Sequence, residues 1–118
     1  MGTEQDSVGE SEVYSSWFEV LPNYSRTITT MNISDGDEIL ASIRLLDPNT
    51  NDWLIQLKDI IAGEVFEKNF FYNSSMLSAE WVVERPTLNN RISTLADFGR
   101  LTFTNSYATI GNRSGDNW

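Results

Sequence analysis

Glu38-Ile39-Leu40-Ala41-Ser42-Ile43-Arg44-Leu45-Leu46, then Asp47-Pro48-Asn49-Thr50-Asn51, then Trp53-Leu54-Ile55-Gln56-Leu57-Lys58-Asp59-Ile60: these residues decide the fold class. Ile39, Ala41, Ile43 and Leu45 alternate with Glu38, Leu40, Ser42 and Arg44, the period-2 pattern of a half-buried strand. Asp, Pro and Asn in succession make the clearest turn in the chain. Beyond it, Trp53, Ile55 and Leu57 share one face while Leu54, Gln56 and Lys58 share the other. Trp53, Leu57 and Ile60 or Ile61 also fit a helical period of 3.6. The turns on either side, at 47–51 and at Ala62-Gly63-Glu64, favour strand.

The same grammar extends outward from this hairpin. Residues 13–20 (VYSSWFEV) read as a strand that ends at Leu21-Pro22-Asn23, where proline removes a backbone donor. Residues 24–31 (YSRTITTM) are rich in Thr and Ile, which suit a pleated surface. On the other side, residues 65–72 (VFEKNFFY) read as a less regular strand, broken by Asn73-Ser74-Ser75. Residues 79–85 (AEWVVER) read as a short strand closed by Pro86, which biases Arg85 away from helix. A last strand is expected at 101–104 (LTFT). Residues 1–12 read as an N-terminal arm and 111–118 as a C-terminal loop, leaving 13–110 as one domain. Six or seven short strands with frequent turns give an all-β antiparallel sandwich or barrel, without a long helix.

Composition narrows the chemistry. At 118 residues the chain is long enough for one domain with a core of its own. Seventeen Asp and Glu against eight Lys and Arg give a net charge of −9. That surface repels a phosphate backbone, and the arginines are scattered singly, so no nucleic-acid partner is expected. No apolar run approaches the ~18 residues of a bilayer span, so no membrane segment is expected. The chain has no His and no Cys, which removes the usual zinc sites, Cys–His pairs, Ser–His–Asp triads and disulfides together. Carboxylates, amides, hydroxyls and aromatic surfaces remain.

Two segments combine acids and aromatics. In a strand Trp17 and Glu19 fall on one face, and Glu80, Val82 and Glu84 on one face opposite Trp81 and Val83. A carboxylate row bordered by aromatics suits general acid–base work in a cleft; the plainer reading is a solvated outer face with Trp81 and Val83 in the core. Asp35 and Asp37 flank Gly36 in a turn, and as ordinary turn residues outside any calcium-loop series they give no expected metal site. The sequons at Asn23, Asn32, Asn73 and Asn112 arise readily in so Ser/Thr/Asn-rich a chain. Trp53, Phe70, Phe71 and Tyr72 are either a sugar-stacking platform or, as is commoner in an all-β chain, core.

Four segments in order carry a resemblance. Ser16-Trp17-Phe18-Glu19-Val20-Leu21-Pro22 resembles the W-[YF]-E-x-x-P segment of the glutamic peptidases (eqolisins, the peptidase G1 or A4 family). Ser34-Asp35-Gly36-Asp37-Glu38-Ile39 is similar to that family's x-x-G-D-x-I turn, and Ala79-Glu80-Trp81-Val82-Val83-Glu84 to its A-E-[WF]-[IV]-[IV]-E segment. Ala96-Asp97-Phe98-Gly99 with Leu101-Thr102-Phe103-Thr104 is similar to the family's next segment. Each motif alone is weak, whereas four in order, from about residue 2 to residue 110, are specific.

The resemblance implies a two-sheet antiparallel β-sandwich, concanavalin-like or jelly-roll-like, and acid proteolysis of peptide or protein substrates by a Glu–Gln dyad without a cofactor. Residue by residue it assigns the catalytic Glu to Glu84, not Glu80, and the cleft-flanking, substrate-binding positions to Trp17 and Glu19. It also implies a secreted protein. The family Gln sits in a Q-[TA]-G-x-[DE] context; Gly2-Thr3-Glu4 looks like the end of that motif, while Gln5 is out of register and Gln56 lies on another strand. The chain is therefore expected to be a partial domain, incomplete at both ends and inactive as given. A sandwich so cut leaves sheet edges open, and a homo-oligomer through those edges is expected. The other reading of the same residues is a non-catalytic β-sandwich module that binds carbohydrate or peptide.

Overall fold

A computed structural model describes residues 1–85, 87–88, 90–95, 97, 99–110 and 113–116. The described residues contain strands, turns and irregular segments and no helix. They divide into two compact units, Met1–Ser74 and Ser75–Trp118.

The first unit holds two three-stranded antiparallel sheets. One has the order β1 (Gly2–Val8), β2 (Ser11–Phe18), β3 (Arg26–Thr27); the other has β4 (Ile39–Asp47), β5 (Asp52–Asp59), β6 (Val65–Phe71). The hairpin 38–60 forms as its alternation requires, with Ile43 opposite Ile55 and Ala41 opposite Leu57, and a register shift between Leu45 and Asp47. The helical alternative for 53–60 is thereby excluded. Ile55 and Leu57 are buried while their neighbours Leu54, Gln56 and Lys58 are half-buried. The β5–β6 turn is held by Asp59, whose carbonyl accepts from Gly63 N–H at 2.9 Å and whose Oδ1 accepts from Ala62 N–H at 2.8 Å.

The core joins the two sheets. Ile28, Met31 and Leu57 are its buried members, with Met1, Phe18, Ile33, Ile39 and Phe66 packed against them. Phe18 of β2 stacks on Phe66 of β6 with ring centroids 5.4 Å apart, which fixes even-numbered residues of β2 as inward-facing. The expected two-sheet sandwich is present, closed by side chains from both of its sheets.

Several boundaries differ from the expectations. Residues 1–12 are not an arm: β1 pairs with β2 along its whole length, from Gly2 opposite Trp17 to Val8 opposite Ser11. Gly9 at φ 66° makes the two-residue turn between them, a conformation that glycine adopts without steric cost. The strand expected at 13–20 runs over Ser11–Phe18, stopping before the cis Leu21–Pro22 peptide. Of 24–31, only Arg26–Thr27 is strand, followed by one further backbone bond to β2 from Ile28 N–H to the Ser16 carbonyl at 2.8 Å. The chain then leaves the strand, and that departure lets Ile28 and Met31, three residues apart, both enter the core.

The second unit holds two small hairpins, β7 (Thr87–Leu88) with β8 (Arg91–Ile92), and β9 (Tyr107–Ile110) with β10 (Arg113–Asp116). The strands expected at 79–85 and 101–104 are absent: neither segment has a ladder partner among the described residues, and strand-like composition alone does not make a strand. The C-terminal loop expected over 111–118 is instead a strand at 113–116, paired with β9. Pro86, Ala96, Phe98, Asn112 and Trp118, which enter the sequence-based expectations, lie outside the described residues.

Candidate functional site

Trp17 sits in the middle strand of the β1–β2–β3 sheet, paired with Gly2 on one side and Thr27 on the other. Because Phe18 points into the core, alternation turns Trp17 to the opposite, outer face. The indole lies over Gly2, where a Cβ would stand 3.5 Å from the ring. The same face carries Glu4, two residues along β1, whose Oε1 accepts from Ser15 Oγ at 2.6 Å. Glu4 and Ser15 are not among the expected site residues, because residues 1–12 show no strand signal in the sequence. Once the β1–β2 pairing is known, alternation puts them beside Trp17.

Glu19 follows directly after β2 and is exposed. It therefore does not continue the Trp17 face as a strand residue. Its charge favours protonation of the Met1 ammonium, whose pKa is nonetheless lowered because burial is the larger effect.

Glu84 belongs to the second unit, in an irregular segment with its side chain exposed. It borders a shallow concavity of about 480 Å³ whose other lining residues are Val83, Arg85, Ile92 and Leu95. Three of those five side chains are aliphatic. A carboxylate on such a rim can take a proton from water and return it to a leaving group while an apolar side chain fills the space beside it. Glu80 is exposed and outside this lining, and Trp81 is half-buried. Val83, expected in the core, is instead 45% exposed. Trp17 and Glu19 thus fall in one unit and Glu84 in the other.

The remaining candidates have local roles. Asp37 Oδ2 accepts from Ser34 N–H at 2.6 Å, closing the turn in which Gly36 has φ 86°. No group of three or more acidic, His or Cys side chains gathers into a metal cluster among the described residues. Trp53 is half-buried opposite Phe70 and donates its indole N–H to the Tyr72 carbonyl at 2.8 Å, so it belongs to the sandwich and not to an open platform. Both glutamines are engaged within sheets: Gln5 Nε2 donates to the Tyr14 hydroxyl, and Gln56 Nε2 donates to Glu67. Asn23, Asn32 and Asn73 are exposed and outside strands.

Comparison with known proteins accounts for the order of the motifs. A family model described as the peptidase A4 family matches residues 2–117. Aspergillopepsin-2 of Aspergillus niger is 28% identical over 102 residues, which are 83% of this chain and 36% of that protein. The crystal structure of aspergilloglutamic peptidase from Aspergillus niger superposes with a TM-score of 0.81 at 25% identity, covering 95% of this chain and 67% of that one. The chain thus spans about a third of the length of the curated relative it matches. With a family model matching nearly its whole length and a two-sheet fold in common with a solved member, the chain belongs to the peptidase A4 family, the glutamic peptidases.

Proposed function

We propose that this protein serves acid proteolysis outside the cell, with Glu84 as the proton-transfer residue. The observation that carries the reading is an exposed carboxylate, in the family's A-E-x-x-x-E context, on the rim of an apolar concavity. In the first step the Glu84 carboxylate takes a proton from water as its oxygen bonds to the peptide carbonyl carbon. The carbonyl oxygen becomes an oxyanion, which a glutamine amide N–H stabilises. In the second step Glu84 gives its proton to the amide nitrogen as the C–N bond breaks, leaving a free amine and a carboxylic acid. By the same family motifs Trp17 and Glu19 are assigned to substrate binding.

Neither Gln5 nor Gln56 stands in the family's glutamine context, and both amides are already bonded within sheets. The 118-residue polypeptide alone is therefore expected not to turn over, since an oxyanion donor is worth ~10²–10³ in rate. The test is casein cleavage at about pH 3.5, near the carboxylate range. The short chain is compared with a longer polypeptide that adds a glutamine-bearing strand and the remaining family strands. Cleavage by the long form, lost in Glu84→Gln and retained in Glu80→Gln, supports the reading. Unimpaired cleavage by the Glu84→Gln form rejects the role given to Glu84, and no cleavage by the long form leaves the non-catalytic binding-module alternative.

A further inference from the structure

We infer that the concavity beside Glu84 is a side-chain subsite that takes an aliphatic residue of the peptide and refuses lysine and arginine. The inference rests on the proteolytic reading of Glu84 and adds which peptides that site accepts. The β7–β8 hairpin builds it: Thr87 pairs with Ile92 and Leu88 with Arg91, so the chain after 92 returns toward residues 83–85. Ile92 and Leu95 on the return join Val83, Glu84 and Arg85 on the approach around about 480 Å³. That space is ample for a peptide side chain. Val83, Ile92 and Leu95 line it with branched aliphatic groups, and they keep 45%, 64% and 45% of their surface exposed. No hydroxyl or amide side chain joins them among the described lining residues. An aliphatic side chain laid there removes apolar surface from water on both partners. A hydroxyl or amide would lose water without gaining a hydrogen bond.

Charge supplies the refusal. Glu84 and Arg85 are the charged groups of the described lining, and among the described residues neither has an ion-pair or hydrogen-bond partner. The proposed reaction occupies Glu84 with water and the scissile amide, which leaves Arg85 to act on whatever fills the concavity. Its guanidinium is a fixed cation. A lysine or arginine side chain would bring a second positive charge beside it, against aliphatic groups that weaken the repulsion less than water does. A substrate Asp or Glu is more than half protonated at about pH 3.5 and offers Arg85 little charge. The lining thus combines an attractive surface for aliphatic groups with a repulsive group against cations. Since Glu84 is proposed to serve both the attacking water and the leaving nitrogen, the selected side chain belongs to one of the two residues flanking the scissile bond.

Two measurements test this. In the 118-residue protein at about pH 3.5, a short acetylated, amidated peptide with one Leu among Gly and Ser should shift the methyl NMR signals of Val83, Ile92 and Leu95. The peptide with Lys in place of Leu should leave them unmoved. In the longer polypeptide, mass-spectrometric mapping of cuts in a peptide library should favour Leu, Ile and Val over Ala at one flanking position by about tenfold in kcat/KM. Lys and Arg should be disfavoured there. Leu95→Gln should erase most of the Leu-over-Ala preference, and Arg85→Gln should raise the Lys-to-Leu ratio about tenfold. Ratios taken within one variant cancel any general effect on Glu84. Methyl shifts with both peptides, or with neither, overturn the inference. So do Glu84-dependent cuts without a side-chain preference, a Leu preference that Leu95→Gln leaves intact, or a Lys refusal that Arg85→Gln leaves intact; these leave the Glu84 reading standing. Cleavage unimpaired by Glu84→Gln, with methyl shifts selective for Leu, removes that reading and keeps the subsite. If the longer polypeptide does not cleave, the methyl shifts decide alone.

Discussion

The unit Met1–Ser74 buries; the unit Ser75–Trp118 displays. The first contains all the buried residues among those described: Ser16, Ile28, Met31, Ile55, Leu57 and Asp59. The second has none, and its Leu77, Val82, Ile92, Leu101 and Phe103 are substantially exposed. One unit is a sandwich closed by side chains from both sheets, and the other holds two short hairpins with no further strand among the described residues. Trp17, proposed for substrate binding, sits in the first, and Glu84, proposed for proton transfer, in the second. Packing energy and proposed chemistry are therefore concentrated in different parts of the chain, and substitutions should separate them.

The largest expected effect is on chemistry alone. In the longer polypeptide, Glu84→Gln should lower kcat by about a hundredfold or more, the scale of a general acid–base contribution. The denaturant midpoint should not move, because an exposed carboxylate holds no fold together. A large shift of that midpoint would join the two roles that the comparison separates.

Stability should answer in the opposite unit. Leu57→Ala removes a fully buried side chain from between the sheets and should cost about 2–5 kcal/mol, read from urea unfolding. Leu95→Ala, at a position 45% exposed, should cost about 0.5 kcal/mol or less. Equal costs would break the contrast between the two units.

Within the first unit the turn before β4 offers a finer test. Asp37→Ala leaves Ser34 N–H without its side-chain acceptor and should cost about 1 kcal/mol. Asp37→Asn should retain much of that, whereas a metal role would show instead as a calcium-dependent midpoint in the parent protein.

The smallest effect is a titration. Tyr14 donates its hydroxyl to Glu12 at 2.6 Å, and that bond is the main reason its pKa is raised from 10.0 to about 12. The shift favours the neutral phenol in the folded state. Its contribution is therefore fully present below the unfolded value of 10.0 and is lost as pH rises through the folded value of about 12. Absorbance titration near 295 nm (a wavelength of about that value isolates phenolate) should show one tyrosine ionising late. Glu12→Gln should bring it down, and no change would mean that β2 does not hold its Glu12–Tyr14 pair together.

These contrasts mark how much is legible in the residues. Alternation reads β4 and β5 almost to the residue, because one face of each differs from the other in apolar content. The same method passes over β1, whose Thr3, Glu4, Gln5, Asp6 and Ser7 are polar on both faces and carry no contrast to read. It also overreads 79–85, where Trp81, Val82 and Val83 have strand composition but no partner among the described residues. Propensity is local, and a ladder needs a second strand.

By itself the sequence determined the all-β class, the turns at 34–37 and 47–51, and family membership through four motifs in order. It also excluded zinc, thiol and triad chemistry, since residue identity alone decides which atoms are present. Tertiary structure decided what depends on non-local pairing. It put Trp17 over Gly2 and beside the Glu4–Ser15 pair on an outer face. It drew Ile28 and Met31 into the core from just beyond β3, and it left the edge of β4 open among the described residues. The physical reason is that strand order, register and burial are set by hydrogen bonds and contacts between residues far apart in the chain, which no local pattern encodes.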